Sequence, residues 1–382
     1  MIKILDKAQC CGCTACINIC PKNCIEMKED NEGFLYPEVD KERCIQCGLC
    51  TKTCPIINKI DNMNNTIAVV SYYNNEKIRL KSSSGGLFSA IAEYILENNG
   101  IVFGAAFDSN FHVKHIYIDK VEDLNFLRGS KYVQSNLEGI FKKVKEFISE
   151  EKKVLFSGTE CQIEGLKKYL GSFDNELLYT IDILCHGVPN DKLWMKYLKW
   201  QEKKYEAQVS RAFFRYKKYG WKKYAMLLEF SNNIAYEEIN NKDAFFNLFI
   251  GNICLRPSCH QCKFKNINRA SDITLGDCWK VETHSPEMDD DKGTSIVLIH
   301  SEKGKRLYDN IKIKTTSKII DLKDAIPSNA ESLNSAIPHM NRNKFFKALQ
   351  RGADIPELLG LLKLSLLQRI IRKINNILKN KL

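Results

Sequence analysis

Four cysteines, Cys10, Cys13, Cys16 and Cys20, followed by Pro21, constrain this chain more than any other feature, because the same spacing returns at Cys44, Cys47, Cys50 and Cys54, followed by Pro55. Three thiols on one tight loop reach one [4Fe–4S] cluster, and where the run C-x2-C-x2-C-x3-C-P occurs twice, the fourth cysteine of each run serves the other cluster. The expected ligand sets are Cys10, Cys13 and Cys16 with Cys54, and Cys44, Cys47 and Cys50 with Cys20. Zinc favours C-x2-C pairs set further apart, and a disulfide framework needs an oxidising compartment. Cys11 and Cys24 fall outside the pattern and read as plain thiols.

The spacer between the runs carries Asn31-Glu32-Gly33, a turn signal between two short extended pieces. Residues 1–62 are therefore expected to form an α+β, ferredoxin-like two-cluster domain that ends in the polar run 58–66. Beyond it, strand patterns at 67–73, 101–107, 113–118, 154–157, 178–184, 225–230 and 295–300 are interleaved with helical patterns at 87–99, 137–150, 162–170 and 191–205. Such alternation implies a mixed α/β domain around a central sheet over residues 63–335.

Charge is unevenly placed. The net +11 of the chain contrasts with residues 1–62, where eight Lys/Arg meet nine Asp/Glu, and with residues 336–382, where ten meet two. That last stretch reads as a basic helical tail. In 364–382, Leu364, Leu367, Ile370, Ile371, Ile374, Ile377 and Leu378 form an apolar stripe opposite Arg369, Arg372, Lys373, Lys379 and Lys381. Such a helix suits peripheral contact with the inner face of a membrane, or packing on its own protein or a partner subunit. No nucleic-acid motif accompanies the charge, so nucleic acid is not an expected partner. The N-terminus has no apolar signal region, and a cytoplasmic location is expected.

Three strand-to-helix handovers are candidate cofactor sites. Ser82-Ser83-Ser84-Gly85-Gly86 offers N–H groups at a helix start, suited to phosphate, although Ser and Gly there also serve as plain caps. The turn 156–162, with Gly158, Thr159 and Cys161, lies where open α/β sheets bind ligands. The third, 182–189, carries Cys185 and His186, the latter a proton-transfer candidate or a hydrogen-bonded structural histidine. His186 and Cys161 are the candidate catalytic residues. A further group, Cys254-x4-Cys259-x2-Cys262, has plant-type cluster spacing and needs a distant fourth ligand, for which Cys185, Cys161 and Cys278 are candidates; zinc is the competitor. The basic aromatic stretch 211–224 is expected to be a solvated hairpin face or a docking site for an acidic carrier or substrate.

The segments SSSGGLFSAIAEYIL, KYVQSN, SGTECQIEGLKKYL, DILCHGVP and RPSCHQCKFKNINRASDITLGDCW occur in this order. Together they resemble the coenzyme F420 hydrogenase/dehydrogenase beta-subunit family over residues 1–335. The resemblance implies FAD and iron–sulfur clusters that link a two-electron carrier to one-electron clusters. It puts Ser84, Gly85, Gly86, Lys131, Tyr132, Gln134, Ser135, Asn136, Gly158, Thr159 and Arg269 at the flavin. It makes Cys185, Cys254, Cys259 and Cys262 the expected ligands of a third [4Fe–4S] cluster. Asp272, Asp277 and Trp279 belong to the last motif. Glu160 stands where the family carries proline, and Cys278 where it carries an aromatic residue. Related chains are often associated with surface polysaccharide synthesis, and the lysine-rich composition fits that branch.

The expected function is thus a flavin- and iron–sulfur-dependent oxidoreductase. Its partner would be ferredoxin, a deazaflavin or a nicotinamide carrier, or an enzyme subunit. The alternative is a non-catalytic electron-transfer or assembly subunit without flavin.

Overall fold

The computed structural model describes residues 1–60, 65–327, 330, 332–365 and 368. The expected boundary near residue 62 and nearly all of the expected amphipathic helix lie outside the described residues. No helix among those described is long and apolar enough to cross a membrane.

The N-terminal unit builds one backbone device twice. The first cysteine loop turns left-handed at Gly12 (φ 71°) and Thr14 (φ 62°), the second at Gln46 (φ 54°) and Gly48 (φ 75°), which are the same two positions 34 residues apart. Glycine relieves the strain at one of the two positions in each loop, while the branched Thr14 tolerates it in a conformation such residues avoid. Each loop runs into a single helical turn, Ala15–Asn18 and Leu49–Thr53. Between them β1 (Ile25–Glu29) and β2 (Leu35–Val39) pair antiparallel. Their turn is closed by Asp30, whose carboxylate accepts from the N–H groups of Glu32 and Phe34.

The larger unit contains β3 (Ile67–Tyr73), β4 (Ile101–Phe107), β5 (Val113–Ile118), β6 (Val154–Gly158), β7 (Leu178–Ile183), β8 (Val209–Tyr216), β9 (Ala225–Phe230), β10 (Ala235–Ile239), β11 (Ile273–Asp277), β12 (Ser295–Ile299) and β13 (Thr315–Ile320). Eight of these form a mixed sheet in the order β13-β3-β12-β11-β7-β6-β4-β5, and β10-β9-β8 form a separate antiparallel sheet. Within the large sheet β4, β6, β7 and β11 run parallel. Their C-terminal ends therefore lie side by side.

The two units share a core. Phe34 and Tyr36 of the hairpin belong to the same buried cluster as Trp194, Phe214, Phe245, Phe246 and Phe345. Arg256, 1 % exposed, donates to the carbonyls of Cys10 (2.8 Å) and Leu35 (2.9 Å) and to Gln134 Oε1 (3.0 Å). Arg342 forms a two-pronged ion pair with Glu32 at 2.8 and 2.6 Å. The first part of the expected basic tail is thus interior: the helices Arg342–Gln350 and Ile355–Gly360 bury Phe345, Phe346, Leu349, Ile355 and Leu358.

The stretch 211–224 is only partly a solvated face: Arg211, Lys218, Lys222 and Lys223 are exposed. Trp221, Arg215 and Lys217 are buried, and Lys217 Nζ donates to the carbonyls of Arg79, Ser84 and Lys292. Lys217, with the Lys222 N–H on Asp291, ties the stretch to the loop 290–293.

Candidate metal centres

Two cavities lie in the N-terminal unit, and each draws its thiols from both cysteine runs. One is lined by Cys10, Cys13, Cys16 and Cys54, together with Cys11. The other is lined by Cys44, Cys47, Cys50 and Cys20, together with Cys24. The exchange of the fourth cysteine follows from the repeated loops facing each other. Among the described residues, no three His, Cys, Asp or Glu side chains converge on a single-ion position. The thiols instead stand around cavity walls, an arrangement suited to a multi-iron cube rather than to one zinc ion about 2.3 Å from each sulfur. The Ile2 N–H donates to Cys50 Sγ at 3.2 Å. Burial, then the charges of Cys10, Cys54 and Cys50, push the Cys16 thiol up. Thiolates packed this closely need a bound cation to coexist, and loading such a site releases protons.

A third thiol group sits where the larger unit meets the first loop. Cys161 opens the helix Glu160–Leu170 at the end of β6, and Cys185 follows the adjacent strand β7. Cys259 lies in the short 3-10 helix Pro257–Gln261, and Cys262 follows it. Segment 254–259 is held against 187–189: the Arg256 N–H donates to the Val188 carbonyl, and a Cβ on Gly187 would stand 3.3 Å from Cys259 Cβ. Burial first, then Cys259 and Cys161, raise the Cys185 thiol; burial and Cys262, against a helpful bond from Val188, push Cys259 up to about 12. Cys161 rises through its contact with the Cys11 thiol and through burial. The four that gather are Cys161, Cys185, Cys259 and Cys262.

Cys254 is not one of them. It is 1 % exposed in the aromatic core, and of the cysteines only Cys259 acts on it. Of the expected set, Cys185, Cys259 and Cys262 influence one another together with Cys161, whereas Cys254 meets Cys259. Cys278 lies in a different buried cluster with Val281 and Met288.

Cys11 is not incidental either. It lines the first cavity, and its thiol meets those of Cys13 and Cys161. Gly165 permits the approach, since a Cβ there would stand 2.9 Å from Cys13 Cβ and Sγ. Cys161 is four residues earlier on the same helix, hence on the same face.

The residues expected at a flavin are mostly spent on the fold. Ser84 Oγ donates to the Thr294 carbonyl, and the Gly85 N–H donates to Ser295 Oγ. A Cβ on Gly85 would stand 2.7 Å from the Ser71 carbonyl, so the glycine serves packing against β3; Gly86 (φ 85°) caps the helix Leu87–Glu97. Lys131 Nζ donates to the carbonyls of Phe126, Leu127 and Arg128, and burial followed by Arg128 pulls its ammonium down to about 7. Tyr132 accepts from Arg215, Gln134 bridges the Cys11 carbonyl and Arg256, Ser135 accepts from Gln162, and Asn136 bonds the Glu138 N–H. Gly158 ends β6, and Thr159 with Gln162 forms a capping box that holds the turn rigid without the proline.

Sequence reasoning overlooked a buried polar network beneath the third thiol group. Asp182 accepts from Arg269, Ser271 and Thr274. Glu160 accepts from the Ala270 N–H; burial and Asp182 hold its carboxyl well above the usual range, against Arg269. His186 Nε2 meets Asn252 Oδ1 at 2.6 Å and its ring stands edge-on to Phe249. Just beyond the end of β11, Trp279 is 46 % exposed and stacks on buried Trp221 at 4.9 Å and 6°. Arg215 lies beneath, paired with Asp277 at 2.9 and 3.0 Å.

Models of known families match most of the chain. A model described as "4Fe-4S dicluster domain" matches residues 9–56. Models of the coenzyme F420 hydrogenase/dehydrogenase beta subunit match residues 68–142 (N-terminal part) and 151–325 (C-terminal part). The chain is 25 % identical over 332 residues to a coenzyme F420-dependent sulfite reductase of Methanocaldococcus jannaschii, covering 82 % of this chain and 47 % of that protein. It thus spans about half the length of that relative. Over 56 residues it is 44 % identical to NADH-quinone oxidoreductase subunit I 2 of Geobacter metallireducens, covering 13 % and 43 % of the two chains. A chain of the F420-reducing [NiFe] hydrogenase complex of Methanosarcina barkeri superposes with TM-score 0.47 at 16 % identity, covering 79 % of this chain and 90 % of that one.

Proposed function

The chain belongs to the coenzyme F420 hydrogenase/dehydrogenase beta-subunit family, and from that premise we propose that it is an oxidoreductase that conducts electrons through three iron–sulfur sites. One end exchanges single electrons with a carrier or enzyme subunit, and the other meets a two-electron partner in the larger unit. A [4Fe–4S] cluster, when bound, accepts or donates one electron at a time. The protein's part is to hold the thiolates, order the sites and exclude water.

The observation that carries this reading is the sequence of thiol groups. The Cys44, Cys47, Cys50 and Cys20 cavity carries the exposed Cys47, the thiols of the Cys10, Cys13, Cys16 and Cys54 cavity are buried, and Cys11, which lines the latter, meets Cys161. Lys265 and Arg269 offset the charge of the third set. The two-electron partner is assigned to the crevice at the ends of β6, β7 and β11, where ligands bind in open α/β sheets. There Trp279 offers an exposed, ring-sized face backed by Trp221 and Arg215, suited to a flavin or deazaflavin ring.

The committed hydrogen bonds of the expected FAD cradle favour a second reading, in which the larger unit docks an enzyme partner and holds no flavin of its own. Anaerobic purification with iron, sulfide and flavin quantification separates the two. The three-site reading expects about twelve irons per chain, and about eight would remove the third site. Cys161→Ser is expected to cost about four irons while Cys254→Ser costs none. Bound flavin, or reduction by NADH, NADPH or the deazaflavin, supports the enzyme; its absence after reconstitution leaves the carrier reading.

A further inference from the structure

The two N-terminal cavities differ in what surrounds them. Cys10, Cys13, Cys16 and Cys54 are all buried. Around the other cavity Cys47 is exposed, and Ile45, Met1 and Leu49 are 57, 46 and 37 % exposed. Apolar side chains gathered over a redox site are costly to leave in water and mark a contact surface.

The rim of this surface is basic. Lys22 lines the cavity, and Arg43 lies beside it, donating to the Lys22 carbonyl at 3.1 Å. Lys3, Lys41 and Lys52 fall within three residues of lining residues, and all five are exposed. Among the described residues none of the five forms an ion pair. Most of the hairpin's acids are paired: Asp30 with Lys7, Glu38 with Lys28, Glu29 with Lys192 and Glu32 with Arg342. By the same proximity the acids of the rim are Glu26, Glu38, Asp40 and Glu42, of which Glu38 is held by Lys28 and Asp40 is turned onto the N–H groups of Glu42 and Arg43. A domain with no net positive charge thus places five cations without an ion pair around the cavity that holds the exposed Cys47.

We propose that this face is the docking site of an acidic one-electron carrier protein, with Ile45 and Leu49 forming the dry contact and the five cations steering the approach. A second copy of this chain would bring the same sign of charge and be repelled. The inference deepens the electron-conduction reading above and rests on it. In the step, one electron leaves the reduced carrier and arrives at iron held by Cys44, Cys47, Cys50 and Cys20; no bond breaks and no proton moves.

The test uses the reconstituted full chain and an acidic flavodoxin hydroquinone, whose oxidation to the semiquinone is followed by stopped flow. The expected rate falls steeply with added salt, as it does for steered association. The triple variant Lys3→Glu, Lys41→Glu, Lys52→Glu is expected to lose about tenfold in rate at low salt and to lose the salt dependence, with iron content and reduction by dithionite unchanged. A rate unaffected by the three substitutions, with iron intact, would overturn the docking site alone, as would a self-associated chain that covers the face. A chain that binds no iron would overturn the conduction reading and this inference with it.

Discussion

Burial decides the charge of His115. The ring stacks on Phe156 at 5.2 Å, its Nε2 meets the Ser157 carbonyl at 2.9 Å, and it is 4 % exposed. Desolvation pulls its pKa from 6.5 down to about 4; the Ser157 bond opposes this, and Lys131 adds to it. A histidine depressed in the fold stays neutral there while the unfolded chain takes up the proton. Stability is therefore complete above pH 6.5 and is lost as the pH falls from 6.5 towards 4, by on the order of 3 kcal/mol. His300, also pulled down to about 4 chiefly by burial, acts in the same direction. By NMR, the His115 imidazole is expected not to titrate above pH 5, and His115→Phe should shed part of the acid sensitivity. An imidazole titrating near 6.5 would mean that the ring is solvated.

At the scale of elements, the first loop and the helix Glu160–Leu170 depend on one missing methyl group. In a helix interior Gly→Ala ordinarily stabilises by up to about 1 kcal/mol. At Gly165 the added Cβ would stand 2.9 Å from Cys13 Cβ and Sγ, so Gly165→Ala is expected to destabilise by about 1–3 kcal/mol, as overpacking does, and to lower the iron bound at the first cavity. An unchanged iron content with a raised Tm would show that the helix does not approach the loop this closely.

The cysteine runs were legible because three of the four thiols at each cavity lie on one short loop, and local spacing reports a local site. Strands β3, β4, β5 and β9 were equally legible, being short apolar or alternating stretches between turn signals. The third thiol group was legible only in part. Its members come from the ends of two parallel strands and a distant 3-10 helix, so Cys254 matched by spacing while Cys161, nearly a hundred residues away, matched by geometry. The mostly polar β13 and the short β11, ending in Gly276-Asp277, carry weak apolar patterns, and their partners in the sheet make them strands.

For the whole molecule, the question is whether the cluster-bearing unit is an appendage or part of one body. Arg256 holds Cys10 and Leu35 from the larger unit, and Glu32 is clamped by Arg342 from the segment 336–365. That segment does more than clamp. Phe345, Phe346, Leu349, Ile355 and Leu358 are buried in the cluster that contains Phe34 and Trp194. At about 1.5–3 kcal/mol for each such side chain, their burial is comparable with the whole 5–15 kcal/mol by which a typical domain is stable. A chain ending at residue 335 is therefore expected to lose its fold, with iron lost from the N-terminal cavities as well. A chain ending at 365 keeps these contacts and should retain iron. Expression of both truncations, followed by iron quantification and limited proteolysis, checks this. A soluble 1–335 chain holding eight irons would mean that the two-cluster unit stands without its clamp.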